Sequence, residues 1–289
     1  MANSNVTANM IRLRDYSSIF SRRAFTDILE YNDYSHFNWL CSKYEMPQSS
    51  TYFDIIKTAY SLISKHYRCE YIYKNELIKL LLNNYGVKNT IYFSEFRVRK
   101  SIADIAMFNG ESKVFEIKTE YDTPRRLDKQ MEDYKGLFDK CFIVIPKSKV
   151  NEYYDIVDSS IGIITMERIG GKFQLEEFRP AIQNQHFDTD ALMSCLRIDE
   201  YKSIVSSLGF SLDGVAGYDL FRFCRNIISQ ANTQLVKQHF LCEIKKRKNN
   251  TALLKKYPMS IRQMMLSLNL SKEKADKLLQ SLNTNVYQS

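Results

Sequence analysis

The chain has 289 residues, 44% of them hydrophobic, with nine Gly, five Pro, and 41 basic against 33 acidic side chains for a net charge of +8. That size and apolar content provide one large or two modest cores and exclude an extended disordered or Gly/Ser-linked chain. No apolar run approaches the roughly 18–20 residues of a membrane span, and the opening Met-Ala-Asn-Ser-Asn-Val-Thr lacks the charged-then-apolar layout of a signal peptide, so a cytoplasmic protein is expected.

The first 70 residues form an N-terminal helical region, rich in aromatics and amphipathic near 16–31 and 51–67, with a break at Met46-Pro47-Gln48-Ser49-Ser50. Residues 71–85 read as a strong helix stopped by Gly86, and Glu76 lies beside its apolar stripe of Leu77, Leu80 and Leu81. The pattern then turns to strands at 90–99 and 102–108, rich in β-branched and aromatic residues. Asn109-Gly110 is a hairpin signal leading into a partner strand at 113–118. Asp104 and Glu116 therefore fall on neighbouring antiparallel strands. With Lys118, they place two carboxylates and an amine on one edge of a small sheet, a metal-dependent phosphodiesterase arrangement.

After Thr123-Pro124, which caps and starts a helix, residues 125–138 are helical, and Gln130 and Tyr134, four apart, project from one face. The continuous apolar run 141–145 fits a central strand covered on both sides. A helix near 150–157 and strands at 161–165 and 172–178, the last two joined across Gly170-Gly171, complete the α/β unit. Three regions are thus expected: helical to residue 70, an α/β core at 71–182, and a helical C-terminal region at 183–289. Within the last, 259–268 and 271–282 have helix-turn-helix proportions, although a plain helical hairpin is the simpler reading.

The scattered cysteines and the four dispersed histidines form no zinc-ligand spacing, so the available hard ligands are carboxylates, which suit Mg²⁺ or Mn²⁺. Glu-x-Lys or Asp-x-Lys alone is a poor signal: it recurs at Glu111-Lys113, Asp133-Lys135, Glu200-Lys202 and Glu243-Lys245. Only Glu116-Ile117-Lys118 combines a core-strand lead-in, an Asp on the preceding strand and a helix start soon after. A lone Asp in Ile-Ala-Asp-Ile-Ala is costly to bury without a partner or a metal.

These features resemble the PD-(D/E)xK nuclease superfamily over roughly residues 70–165. The stretch from Ser101-Ile-Ala-Asp104 to Ile145 looks like an uncharacterised bacterial branch of it, with a RecB-like Gln-x-x-x-Tyr helix; Ala103 stands where the eponymous pattern has Pro. The resemblance implies a restriction-endonuclease-like core of helix, three strands, helix, strand, flanked by N- and C-terminal helical regions. It further implies a Mg²⁺-dependent deoxyribonuclease. Asp104, Glu116 and the Ile117 carbonyl would hold the metal, with Glu76 assisting; Lys118 would act on the attacking water, and Gln130 and Tyr134 would position the lysine or the nucleic-acid backbone.

Arg97, Arg99, Lys100, Arg125 and Arg126 adjoin this site and are candidates for phosphate contacts; plain solvent-facing charge is the alternative for each. DNA is the expected partner, with a homodimer or a second protein also allowed and no membrane. DNA repair, restriction or phage defence would be the setting. The competing readings are an inactive nucleic-acid-binding or scaffolding module on the same fold, and a regulatory protein acting through its C-terminal helices.

Overall fold

In the computed structural model, which describes residues 2–287, helices open the chain: α1 (Ala2–Ser18), α2 (Arg22–Tyr31), α3 (Ser35–Lys43), α4 (Tyr52–His66) and α5 (Glu70–Tyr85). The amphipathic stretch expected at 16–31 is divided because Ser21 caps α2, its side chain accepting the Ala24 N–H. Thr51 and Asp54 form a capping box that starts α4 after the anticipated break. Gly86, at φ +68°, ends α5 where the sequence placed its stop.

Three strands follow, β1 (Ile91–Val98), β2 (Ser101–Phe108) and β3 (Ser112–Ile117). Beyond them come α6 (Leu127–Lys135), β4 (Lys140–Pro146), α7 (Val150–Tyr154), β5 (Gly162–Ile169) and β6 (Lys172–Arg179). Helix α6 is shorter than the predicted 125–138, since a 3-10 turn at Pro124–Arg126 precedes it and Gly136 caps it. The remaining helices are α8 (Thr189–Cys195), α9 (Ile198–Ser207), α10 (Leu220–Gln230), α11 (Thr233–Lys246), α12 (Arg262–Leu268) and α13 (Lys272–Leu282).

The protein is a mixed α/β molecule whose six-stranded sheet runs β1 to β6 in sequence order, flanked by helices. β1, β2 and β3 pair antiparallel, whereas β4 and β5 join parallel to β3. The antiparallel turns are short. Gly110 has φ +103° between β2 and β3, and Gly170 and Gly171, both at positive φ, reverse the chain between β5 and β6. The parallel step from β3 to β4 needs a crossover, which α6 supplies.

Two compact units emerge, and they cut across the three regions expected from sequence. One comprises residues 2–87, 167–175 and 250–287. Its C-terminal segment is joined to α5 by Tyr71 Oη donating to the Ser260 carbonyl and Asn75 Nδ2 donating to that of Met259. Stacked rings, Phe20 on Tyr71 and Tyr34 on Tyr52, fill its interior. The helix-turn-helix-like segment lies here: Asn269, left-handed at φ 49°, ends α12, and Ser271 caps α13.

The other unit holds residues 88–166 and 176–249. Its core gathers Phe96, Phe108, Phe138 and Phe240 with Ile143, Ile145 and residues of α8 to α11. Phe108 lies 5.8 Å from Phe138 and 5.9 Å from Phe240, ring centre to ring centre, which packs the connection after α6 and the helix α11 against the sheet.

Candidate active site

The site begins where β2 leaves its partner. The β2/β3 ladder runs from Ile105–Phe115 to Phe108–Ser112. One residue before it, Asp104 Oδ2 accepts the Ile117 N–H at 2.7 Å, a carboxylate standing in for a ladder carbonyl. Glu116 lies within the parallel ladder, opposite Ile143, and is only 3% exposed.

Helix α6 brings Gln130 and Tyr134 onto that glutamate. Tyr134 Oη donates to Glu116 Oε2 at 2.9 Å. Gln130 Nε2 donates to Oε1 at 2.7 Å, and Lys118 Nζ donates to the same oxygen at 2.8 Å. Lys118 also donates to Gln130 Oε1 at 3.0 Å, so Gln130 bridges the lysine and the carboxylate. The five residues Asp104, Glu116, Lys118, Gln130 and Tyr134, predicted from spacing, thus form one cluster.

The electrostatics set this cluster apart. Burial, reinforced by the nearby Asp104 charge, pushes the Glu116 carboxyl up to about 7 despite the opposing pull of Lys118 and Tyr134. Burial likewise raises the Tyr134 phenol, helped by the Glu116 and Asp104 charges, so Tyr134 remains a donor. Two carboxylates held close in a low-dielectric edge repel one another, and a hard divalent cation relieves that repulsion with oxygen ligands. The donor chemistry fits Mg²⁺ or Mn²⁺. Among the described residues, no group of three or more His, Cys, Asp or Glu side chains is placed to hold a metal ion.

The other expected ligands and contacts divide. Ile117 contributes its N–H to Asp104, as described. Glu76, on α5 in the helical unit, accepts from Tyr60 Oη at 3.2 Å and pairs with Lys79 at 3.1 Å. Arg97, Lys100, Arg125 and Arg126 are exposed. Arg99 is committed elsewhere: its guanidinium pairs with Asp188 at 2.8 Å and approaches Asp133 at 3.7 Å, and Ser101 Oγ donates to Asp133. That network ties the β1–β2 turn to α6, so Arg99 serves the fold, a role that spacing alone gave no sign of.

The competing Glu-x-Lys and Asp-x-Lys matches also find local partners. Glu111 pairs with Lys113 and Lys140, Glu200 with Arg247, and Glu243 with Lys246. What the sequence left unmarked close to Lys118 in the chain is Tyr121, exposed between β3 and α6, and Lys129, exposed in the first turn of α6.

Fold and site together define an α/β protein with a buried carboxylate–lysine cluster at the point where an antiparallel hairpin meets a parallel crossover. The sequence family described as bacteriophage P4 protein cII matches residues 63–271, and the chain belongs to that family. Protein cII of Enterobacteria phage P4 is 23% identical over 184 residues, 63% of this chain and 66% of that protein, so the match spans slightly less than two thirds of the relative. Among solved structures, a protein of unknown function from Silicibacter pomeroyi is similar over 48% of this chain and 92% of its own, at 13% identity and a TM-score of 0.31.

Proposed function

We propose that the protein is a metal-dependent nuclease that hydrolyses DNA phosphodiester bonds, built on a PD-(D/E)xK, restriction-endonuclease-like core. The observation that carries this reading is the convergence of Asp104, Glu116, Lys118, Gln130 and Tyr134 with a like-charge pair at its centre. The order α5, β1–β2–β3, α6, β4, with β4 parallel to β3, supports the core assignment. DNA repair, restriction or phage defence is the setting in which such an activity would serve.

Asp104 and Glu116 would hold Mg²⁺ or Mn²⁺, which when bound supplies Lewis-acid polarisation of the phosphate and an acidified water. Lys118 neutralises charge developing on the scissile phosphate and orients the attacking water. Gln130 keeps the ammonium in place from one side, and Tyr134 holds the far oxygen of Glu116, so the carboxylate presents Oε1 to the site. Glu116 must lose its proton to serve as a ligand, which its raised pKa delays to near neutral pH.

A second reading, a nucleic-acid-binding module without cleavage, is favoured by one observation: both Glu116 oxygens already accept hydrogen bonds from the protein's own side chains. Incubation with linear, circular and single-stranded DNA in Mg²⁺, Mn²⁺ or EDTA separates the two. Metal-dependent cutting that Lys118→Ala abolishes supports the nuclease. DNA binding without cutting under every metal condition supports the module.

A further inference from the structure

Among the described residues other than glycine that hold a positive φ, Glu95 is the one inside a strand: its φ is +58°, in the middle of β1. The rest cap helices or lie in turns, as Asn32 and Asn269 do at the ends of α2 and α12, and Arg99 between β1 and β2. For a residue with a side chain this left-handed region is strained, and only Gly and, less readily, Asn or Asp enter it at small cost. The strain falls on one register position. β1 and β2 pair at Ser94–Ile105 and again at Phe96–Ala103, and the pair between them, Glu95 with Asp104, is missing from the ladder.

The skipped pair resets both strands. Along a regular strand, residues three apart point to opposite faces. Here Phe93 and Phe96 both pack on Phe108, at 5.9 and 5.5 Å between ring centres, and Ala103 and Ala106 are both fully buried in one core. Glu95 and Asp104 are where the alternation slips. The Glu95 side chain is exposed, so what this position gives the fold is its backbone conformation. Asp104 leaves the β1 ladder at this point and, one residue short of the β2/β3 ladder, turns its carboxylate to the Ile117 N–H at 2.7 Å, beside Glu116.

We infer that Glu95 is a positioning residue: its left-handed backbone breaks the β1–β2 ladder opposite Asp104 and so frees that carboxylate to face β3. An extended residue at 95 would restore the missing pair and draw Asp104 back into regular alternation, away from the Ile117 N–H. The consequence for metal binding rests on the proposed role of Asp104 as a ligand, whereas the contact with Ile117 is testable without any metal.

The test compares the full chain carrying Glu95→Gly or Glu95→Asn, which favour the left-handed conformation, with Glu95→Val or Glu95→Thr, which favour extended backbone. Two quantities are read: hydrogen exchange and proton chemical shift of the Ile117 amide in metal-free protein, and Mg²⁺ and Mn²⁺ affinity by calorimetry. The glycine and asparagine variants should keep the Ile117 amide protected and bind metal as the wild type does. The valine and threonine variants should open that amide to exchange and weaken metal binding about 10–100-fold, as loss of other ligand-orienting contacts does. The substituted side chain is exposed, so all four variants are expected to fold, which circular dichroism checks.

A valine or threonine variant with a wild-type Ile117 amide overturns the inference. So does a glycine variant that loses the contact, since the side chain and not the backbone would then carry the effect. Wild-type protein that binds neither metal, while the Ile117 amide responds as described, upholds the positioning of Asp104 and removes the metal-dependent reading.

Discussion

Two charged clusters share the same strand and helix yet behave in opposite ways. At one end of β2, Ser101 and Arg99 engage Asp133 of α6 and Asp188, and every carboxylate meets a donor of opposite charge. There, although burial opposes it, the Ala191 N–H and the Arg99 guanidinium hold the Asp188 carboxyl below its usual range. Three residues along the strand, Asp104 adjoins Glu116, and burial together with that second negative charge drives Glu116 in the other direction. The first cluster is electrostatically complete. The second satisfies its hydrogen bonds but retains a like-charge conflict that a cation would remove, and it is in such unresolved places that function is expected to reside.

The largest effect should come from breaking the conflict itself. Asp104→Ala or Glu116→Ala should reduce metal-dependent cleavage to background, about 10³-fold or more, with the circular dichroism of the wild type retained. Full activity in either variant would place the site elsewhere. Arg99→Ala should do the reverse, leaving the chemistry in place while lowering stability by about 1–2 kcal/mol, read as a lower urea midpoint. An unchanged midpoint would remove the structural role of that network.

Gln130→Ala touches the support of the pair, and a loss of about 10–100-fold in activity is expected from similar supporting contacts. A smaller effect concerns pH. Because the folded-state pKa of Glu116 is raised from 4.5 to about 7, the native state binds the extra proton in that window. Stability of the metal-free protein should therefore fall as pH rises from 4.5 to about 7 and level off above it. Asp104→Asn, which removes the second charge, should flatten that fall in thermal-melt series across this range. A melt series as steep in the variant as in wild type would show that Asp104 contributes nothing to the conflict.

Much of the β-sheet and the site was legible because local chemistry dictated it. Asn109-Gly110 and Gly170-Gly171 demand tight reversals, and the run 141–145 lacks any polar residue for a solvent face. Gln130 and Tyr134 share a helix face by spacing alone, and both reach Glu116. What was not legible depended on distant partners. The association of residues 250–287 with α5 rests on side chains such as Asn75 and Tyr71 meeting carbonyls nearly 190 positions away. Arg99 looked like a phosphate contact because nothing near it in sequence announced Asp188. The split of 16–31 into two helices turned on a single capping serine within an otherwise helical pattern.

The central claim is that Asp104 and Glu116 are kept together for a divalent cation. Calorimetric titration of Mg²⁺ and Mn²⁺ into the wild type and Asp104→Asn at pH 7, in buffers of differing ionisation enthalpy, tests it most directly. The account predicts binding to the wild type with release of a fraction of a proton, as the cation displaces it from Glu116, and no binding to the variant. Absence of binding to the wild type, or equal binding to both proteins, would contradict it.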